Sequence, residues 1–211
     1  MITKTLSTAP VLGFLLIMTI GASSCCSPSE GFSEKELALI ESTDSIMRVL
    51  TVEDSLDNAV LRAPSKDFSI EALRSETFAE LERLMVATVT HPSQDGVGIA
   101  GPQVGLNRRV VAVQRFDKEE NPFEVYPNIS IVWASDSLRL GPEGCLSVPG
   151  RRGDVLRSRE IVIEYADMDN LRSSCQKRPE SIPMVRDTIR GFTAVIFQHE
   201  VDHLDGILYT D

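Results

Sequence analysis

Residues 198 to 203 read Gln-His-Glu-Val-Asp-His (QHEVDH) and lie in a segment with helical periodicity, from about Thr188 to Leu204. Residues four apart share one face of a helix, so both imidazoles, His199 and His203, can bind one cation. Glu200 lies about 100° further round the helix and can stand beside that cation. The pattern predicts a metal-binding HExxH helix.

The residues upstream of this motif indicate that it faces inward. Three apolar residues continue the face of the two histidines: Phe192, Val195 and Ile196. Two histidines at this spacing also occur by chance on helix surfaces, and the motif alone leaves that interpretation open. The apolar continuation favours a pocket or a core.

The third metal ligand is expected upstream of the helix. A hydrolytic zinc-type site needs three protein ligands and an open position for water. Only eight residues follow His203, and their only candidates are Asp205 and Asp211. Cys145 lies on a turn bounded by Gly and Pro, where a thiolate can approach a metal closely. The alternative is a disulfide with Cys175, which spacing alone favours.

Three segments together resemble the signature motifs of peptide deformylases. They read GVGIAGPQ (96–103), EGCLS (143–147) and QHEVDH (198–203), in the order and at the approximate separations of that family. The similarity runs from about Ile46 to Asp211. Taken alone, the glycine-rich segment is typical of a helix-to-strand turn. Gly101 stands where alanine is usual, a conservative change on sequence grounds.

The resemblance implies an α+β fold with antiparallel sheets around a central metal-binding HExxH helix. It also implies one divalent metal ion on Cys145, His199 and His203, usually Fe²⁺, with Zn²⁺ or Ni²⁺ possible. The implied enzyme is a peptide deformylase, an amide hydrolase that removes the formyl group from N-formylmethionyl peptides.

The chemistry that the resemblance implies is attack of a metal-bound hydroxide on the formyl carbon, since the metal lowers the pKa of its water. Glu200 is expected to act as general base and then as general acid. The side-chain amide of Gln103 and the backbone N–H of Leu146 are the expected donors to the oxyanion.

Substrate contacts are expected along the glycine-rich segment and the final helix. In the family an extended peptide pairs here like an added strand, which glycine permits by close approach. Arg152 matches an arginine that contacts the substrate backbone, although the adjacent Arg151 is an alternative. The full set of expected substrate-binding residues is Val97, Gly98, Arg152, Phe192 and Ile196.

Periodicity along the rest of the chain also predicts an α+β domain. Apolar residues three and four apart predict a helix over Ile70 to Val89. Strand-like runs follow, and the polar, proline-containing stretch from Asp167 to Arg186 is expected to be a loop or an insertion. The predicted strands are Arg109 to Gln114, Phe123 to Trp133 and Asp154 to Tyr165.

The first 25 residues have the pattern of an export signal. Lys4 precedes an apolar stretch, Val11 to Ile20, which ends in small residues. Ala22-Ser23-Ser24-Cys25 resembles the lipobox of bacterial lipoproteins, which implies lipidation of Cys25. An uncleaved membrane anchor and an ordinary secretory peptide followed by a disulfide-forming cysteine are the alternatives. Residues 26–45 are expected to be a tether with a possible short helix, and residues 46–211 the catalytic domain.

The net charge and the expected cellular location limit the possible binding partners. A formal net charge of −10 argues against nucleic acid, which is bound by an excess of Lys and Arg. We expect a bacterial cell-envelope enzyme, lipid-anchored or periplasmic, that acts on a formylated peptide or a small N-acyl substrate and touches membrane only through its anchor. The alternatives are a catalytically silent metal- or peptide-binding lipoprotein on a deformylase scaffold, and an HExxH metallopeptidase.

Overall fold

The computed structural model describes residues 31–173 and 180–211. Within them, the helices α1 to α6 are Glu34–Glu41, Ser55–Leu61, Ile70–Leu73, Glu76–Thr90, Met168–Ser173 and Gly191–Leu204. The strands β1 to β8 are Gly98–Ala100, Val110–Gln114, Phe123–Pro127, Ser130–Ala134, Leu138–Cys145, Val148–Ser158, Glu160–Ala166 and Met184–Arg190.

The strands form three antiparallel sheets, with orders β1-β2-β3, β4-β7-β8 and β5-β6. This confirms the predicted α+β fold with antiparallel sheets. Helix α6 contacts strands of all three sheets. The histidine motif is therefore carried by the element on which the sheets converge.

Strand β2 separates two hydrophobic cores. Val110 and Ala112 belong to the core that contains α4, whereas Val111 and Val113 belong to the core that contains α6. All four are fully buried. A strand covered on both faces needs an apolar run without alternation, which is what the sequence VVAVQ has from Val110. Helices α4 and α6 therefore pack on opposite faces of the sheet that contains β2.

Two predicted elements are each interrupted by a polar side chain that binds the backbone. The helix expected over Ile70 to Val89 breaks before Ser75, whose hydroxyl caps α4 by accepting a hydrogen bond from the Phe78 N–H. The strand expected over Phe123 to Trp133 breaks at Asn128, which has a φ of 53° and whose amide pairs with the backbone of Phe68. The two halves of this predicted strand, β3 and β4, belong to different sheets.

The stretch from Asp167 to Arg186 was expected to be a loop, and this is wrong for its described part. It contains α5 and the beginning of β8, which pairs with β7 from Ala166 to Glu160. Because β8 continues to Arg190, the last helix begins at Gly191 and not at Thr188.

The described part of the expected tether is folded onto the domain. Helix α1 begins with a reciprocal cap between Ser33 and Glu36, the spacing that suggested a short helix. Phe32 and Ile40 lie in the core with α4, and Glu36 forms an ion pair with Arg108. The folded unit therefore starts before Ile46, because apolar side chains upstream of it are needed to complete the core.

The segment that suggested export, residues 1–25 with Cys25, lies outside the described residues, as do the start of the expected tether and Cys175. Within the described part of the chain, no helix is both long enough and apolar enough to cross a membrane.

Gly101 is more than a conservative replacement for alanine. A Cβ atom built on it would lie 2.6 Å from the carbonyl oxygen of Arg108 and 2.7 Å from that of Leu106. Both contacts are with backbone, which cannot move aside as a flexible side chain can. The backbone of Leu106 and Arg108, in the loop that follows, therefore packs directly against Gly101.

We expect Gly101→Ala to lower the free energy of unfolding by about 1–3 kcal/mol, the usual cost of overpacking. Chemical denaturation of both proteins measures this difference. Gly141→Ala is the matched control, because a Cβ there meets nothing within 4 Å. Equal midpoints for wild type and Gly101→Ala would mean that the loop yields without cost.

Candidate metal centre and substrate cleft

The structure brings Cys145, His199 and His203 together at the end of the β5–β6 hairpin. Their ligand atoms all lie within 4.8 Å of one another, and the Cys145 Sγ lies 3.2 Å from the His203 Nε2. Metal–ligand bonds of about 2.0–2.3 Å place tetrahedral ligands roughly 3.3–3.8 Å apart. One thiolate and two imidazoles at this spacing fit a divalent transition metal ion.

The hairpin turn aims the thiol at the helix. Cys145 pairs with Val148 across a two-residue turn, and the strand register shifts between Gly144 and Cys145. Such an irregularity redirects a side chain at the end of a strand. Cys145 is a free thiol in the described part of the chain.

Glu143 fixes the orientation of His199, a role that sequence reasoning missed. Its Oε2 lies 2.8 Å from the His199 Nδ1, and Arg157 donates two hydrogen bonds to the same carboxylate. Although burial acts to raise the pKa of Glu143, these partners lower it to about 2. The ionised carboxylate accepts the Nδ1–H and leaves the Nε2 of His199 available as a ligand.

Arg157 joins this carboxylate to Asp202 inside the HExxH motif. Its Nη1 donates to the Asp202 Oδ2 at 2.5 Å, so one guanidinium ties the hairpin to α6. Sequence signals existed for both acids, since Glu143 directly precedes Gly144-Cys145 and Asp202 lies between the ligands. No local pattern marked Arg157.

The two histidines have opposite electrostatic settings. Burial lowers the pKa of His203 well below its usual value, which keeps the ring neutral, the form that binds metal. Burial also acts to lower the pKa of His199, but its contacts with Cys145 and Glu143 raise it to about 10. The site therefore favours positive charge between Cys145 and Glu143, as a bound cation requires.

Glu200 is a buried carboxyl whose pKa burial raises to about 7. Only 4% of the residue is exposed, and its Oε2 has no hydrogen-bond partner within the described residues. It faces the cleft beside His199. A carboxyl group that titrates near neutral pH can both accept and return a proton.

Gln103 is held with its amide nitrogen toward the site. Its Oε1 accepts a hydrogen bond from the Ala100 N–H at 2.8 Å, which fixes the side-chain orientation. The Nε2 then points to the Ser147 Oγ at 3.3 Å and the Cys145 Sγ at 3.5 Å. A preorganised N–H donor thus stands next to the predicted ligands.

Gly98 makes room for the catalytic side of α6. A Cβ atom there would lie 2.5 Å from the Glu200 Oε1 and 2.8 Å from the Ile196 Cγ2. The sequence suggested that this glycine serves backbone approach by the substrate. The structure adds that the absence of a side chain at Gly98 leaves the space in which the Glu200 carboxyl group lies.

One open cleft of about 870 Å³ collects the predicted residues. It is bounded by β1, the β5–β6 turn and the start of α6, and β1 is an edge strand. Both Arg151 and Arg152 line the cleft, together with Val195, which was expected on the inward face of the helix but not among the substrate-binding residues. Of the predicted set, the cleft is lined by Val97, Gly98, Gln103, Cys145, Leu146, Arg152, Phe192, Ile196, His199 and Glu200.

Comparison with known proteins gives one consistent result. The sequence model of the polypeptide deformylase family matches residues 46–211. A peptide deformylase of Leptospira biflexa is 34% identical over 163 residues, which are 74% of this chain and 83% of that protein. Peptide deformylase 2 of a Nostoc species is 38% identical over 163 residues, 74% of this chain and 82% of that one.

A solved structure gives the same result. The crystal structure of a class I type b peptide deformylase from Acinetobacter baumannii, with Met-Ala-Ser bound, superposes with a TM-score of 0.64. It is 32% identical and is matched over 80% of this chain and 98% of that chain.

Proposed function

This chain belongs to the polypeptide deformylase family and is an enzyme of that type, and we propose that it removes the formyl group from N-formylmethionyl peptides. The observation that carries the proposal is the convergence of Cys145, His199 and His203 with Gln103 and Glu200 at one cleft. Metal binding alone requires neither Gln103 nor Glu200.

A divalent metal ion bound by the thiolate and the two imidazoles would act as a Lewis acid. It would lower the pKa of a water molecule and polarise the formyl carbonyl group. The protein's own groups do the rest. Glu200 accepts the proton of the attacking water and returns it to the departing amine. The Gln103 amide and the Leu146 N–H, which lies in the hairpin turn outside the strand pairing, donate hydrogen bonds to the oxyanion.

The peptide would bind as an added strand on β1. This strand is at a sheet edge, and its first residue, Gly98, lines the cleft. An edge strand offers unpaired backbone groups to an extended peptide. Val97, Phe192 and Ile196 form the apolar wall proposed for the methionine side chain, and Arg152 or Arg151 would contact the substrate backbone.

We propose that the site binds one divalent metal ion, for which the family resemblance implies Fe²⁺ and also allows Zn²⁺ or Ni²⁺. The proposed location in the cell envelope, with a lipid on Cys25, is supported by the sequence of the first 25 residues. Outside the cytosol a thiolate ligand is exposed to oxidation, which favours Zn²⁺ over Fe²⁺. The substrates there would be formylated peptides or related small N-acyl compounds.

The proposal is tested with formyl-Met-Ala and the chain that begins at Ser27, which contains every described residue. We expect the protein loaded with Fe²⁺, Ni²⁺ or Zn²⁺ to release free amine and formate. Acetyl-Met-Ala is the matched substrate control. Tight metal binding without turnover by any of the three metals would instead indicate a silent binding protein, and cleavage of the Met-Ala bond a metallopeptidase.

Glu143→Gln is expected to weaken metal binding by about 10–100-fold, the usual effect of removing an outer partner of a ligand histidine. The change removes the charge that orients the His199 ring. Competition with a chelator of known affinity measures it. Glu160→Gln is the control, because Glu160 also pairs with an arginine, the exposed Arg190, and is much less buried than Glu143. Wild-type affinity in Glu143→Gln would contradict the assigned role.

A further inference from the structure

Two exposed aromatic residues meet at the end of the cleft that is distant from the metal ligands. Phe192 is the second residue of α6 and lines the cleft, and Phe116, which follows β2, packs against it. Their ring centroids lie 5.3 Å apart, with the ring planes tilted by 49°. Phe116 is 40% exposed and Phe192 is 50% exposed. These two residues, here named the aromatic pair, leave apolar area beside the cleft that a bound ligand can cover.

Phe116 is flanked by two charged residues that tie it to the beginning of α6. Arg115 is buried, and its Nη2 donates a hydrogen bond to the Asp187 Oδ2 at 3.0 Å. Asp187 lies on β8, which runs directly into α6. The pKa of Asp117 is lowered first by Arg115 and also by a hydrogen bond with the side chain of Thr193, in the first turn of α6. Phe116 is therefore held at this turn from both sides.

The backbone that precedes Phe192 gives its ring little support. Gly191 has a φ of 66°, and a Cβ atom built on it would meet nothing within 4 Å. Arg190, at the N-cap position of α6, makes no side-chain capping hydrogen bond. The ring contact with Phe116 therefore restrains Phe192 at a point where the chain before it is weakly held.

The catalytic groups set the direction of a bound peptide. A Cβ atom at Gly98 would lie 2.5 Å from the Glu200 Oε1, so the formyl group has to lie near Gly98. From there the wall of the cleft follows the chain backwards through Gly96 to Gln94. The rest of the peptide therefore runs antiparallel to β1, away from the metal ligands. This direction rests on the proposed deformylase activity.

Alternation along the extended peptide decides which of its side chains meets the aromatic pair. The first and third side chains point to the same side and are about 7 Å apart. The methionine side chain is proposed to lie against Ile196, and Phe192 comes four residues earlier in α6, about 6 Å along the helix axis and further from His199. Both residues line the cleft. The two spacings match, so the third side chain of the peptide falls at Phe192.

We propose that Phe192, positioned by Phe116, forms a site for a large apolar side chain at the third residue of the substrate. The preferred substrates are then formylated peptides of at least three residues, with a third residue such as Phe. Burial of its apolar area against the aromatic pair favours Phe over Ser at this position by about tenfold. Phe116 is a positioning residue, because it acts through Phe192 and contacts no reacting atom.

Turnover of two tripeptides by the metal-loaded wild type tests the proposal first. We expect kcat/KM to be about tenfold higher for formyl-Met-Ala-Phe than for formyl-Met-Ala-Ser. The difference should lie in KM and not in kcat, because the third side chain is remote from the formyl group. Equal kcat/KM values for the two peptides would overturn the proposal without the need for any variant.

Phe116→Ala should reduce the preference to less than about threefold by raising KM for formyl-Met-Ala-Phe, with kcat for that peptide retained. Phe116→Leu keeps apolar bulk beside Phe192 and should restore most of the preference, which a general loss of stability would not explain. Trp133→Ala is the matched control, because Trp133 is an aromatic residue 51% exposed on β4, and it should keep the wild-type preference. A wild-type preference in folded Phe116→Ala would overturn the role of Phe116.

Binding of the deformylated peptides separates this result from the proposed activity. In calorimetric titrations of the metal-loaded wild type, Met-Ala-Phe should bind about tenfold more tightly than Met-Ala-Ser, and Phe116→Ala should lose this difference. Such a difference without turnover of either formyl peptide would contradict the proposed activity and support the site at Phe192. Turnover of both formyl peptides without any preference in kinetics or binding would overturn the site alone.

Discussion

Glu200→Gln is expected to lower kcat for formyl-Met-Ala by about 10²–10⁴-fold, the usual contribution of a general base and acid. Metal content should stay at the wild-type level, because Glu200 is not among the three clustered ligands. The amide has nearly the shape of the carboxyl group but cannot accept the proton of water. Steady-state kinetics and metal analysis on the same preparations measure both quantities.

Two further variants make this result specific. Glu164→Gln changes a half-buried carboxyl group that pairs with Arg186 and does not line the cleft, and it should leave kcat unchanged. Gly98→Ala keeps the carboxyl group but places a Cβ in the space that Glu200 occupies, so it should also lower kcat with metal retained. Near wild-type kcat in Glu200→Gln would remove the carboxyl group from the mechanism.

Cys145→Ala is expected to weaken metal binding by more than about 100-fold, beyond the loss caused by removing an outer partner. Turnover should fall to background under conditions that saturate the wild type, because two imidazoles alone do not complete the ligand set. Metal analysis after desalting and the amine-release assay measure the two effects.

Cys175→Ser is the matched control for this prediction. If the thiol of Cys145 binds metal, loss of Cys175 should change neither metal content nor turnover. If the two cysteines instead form a disulfide, both variants should lose stability together. Retention of metal and activity by Cys145→Ala would show that the ligand assignment is wrong.

The fold was predictable where one local pattern fixes one element. The apolar run at Val110 and the periodicity of Glu76–Thr90 belong to elements that were expected at nearly those positions. Elements were missed where the deciding contact is distant. Asn128 ends a strand by binding Phe68, which is 60 residues away, and β8 exists because it pairs with β7 and not because of its own sequence.

The site residues divide in the same way, into those with a local sequence pattern and those decided by distant contacts. Helical spacing brought His199 and His203 to one face, as expected from periodicity alone. Cys145 became a candidate ligand through the resemblance, since spacing favoured a disulfide. The Glu143 carboxylate lies 56 residues from His199, and Arg157 joins it to Asp202 across two elements, so neither contact has a local signature.

The β5–β6 hairpin illustrates a different limit, because its exposed side carries three leucines, Leu138, Leu140 and Leu156. Alternation of this kind is typical of a half-buried strand whose leucines face the core. The only strand predicted in this region was Asp154 to Tyr165, so β5 was missed, and the structure divides the predicted strand at Arg159 between β6 and β7. Only the folded arrangement reveals that the buried side carries Glu143 and Arg157 and the outer side carries the leucines. Polar inside and apolar outside is the reverse of the usual pattern, because the metal centre lies underneath.

Metal-dependent deformylation is tested most directly by titrating the metal-free chain with Fe²⁺ under anaerobic conditions while formate release from formyl-Met-Ala is followed. We predict that formate release rises in proportion to bound metal and reaches its maximum at one metal ion per chain. Acetyl-Met-Ala should yield no free amine, and Glu200→Gln should release formate at least about 10²-fold more slowly. Full occupancy of the site without formate release, for Fe²⁺ and then for Zn²⁺ and Ni²⁺, would contradict it.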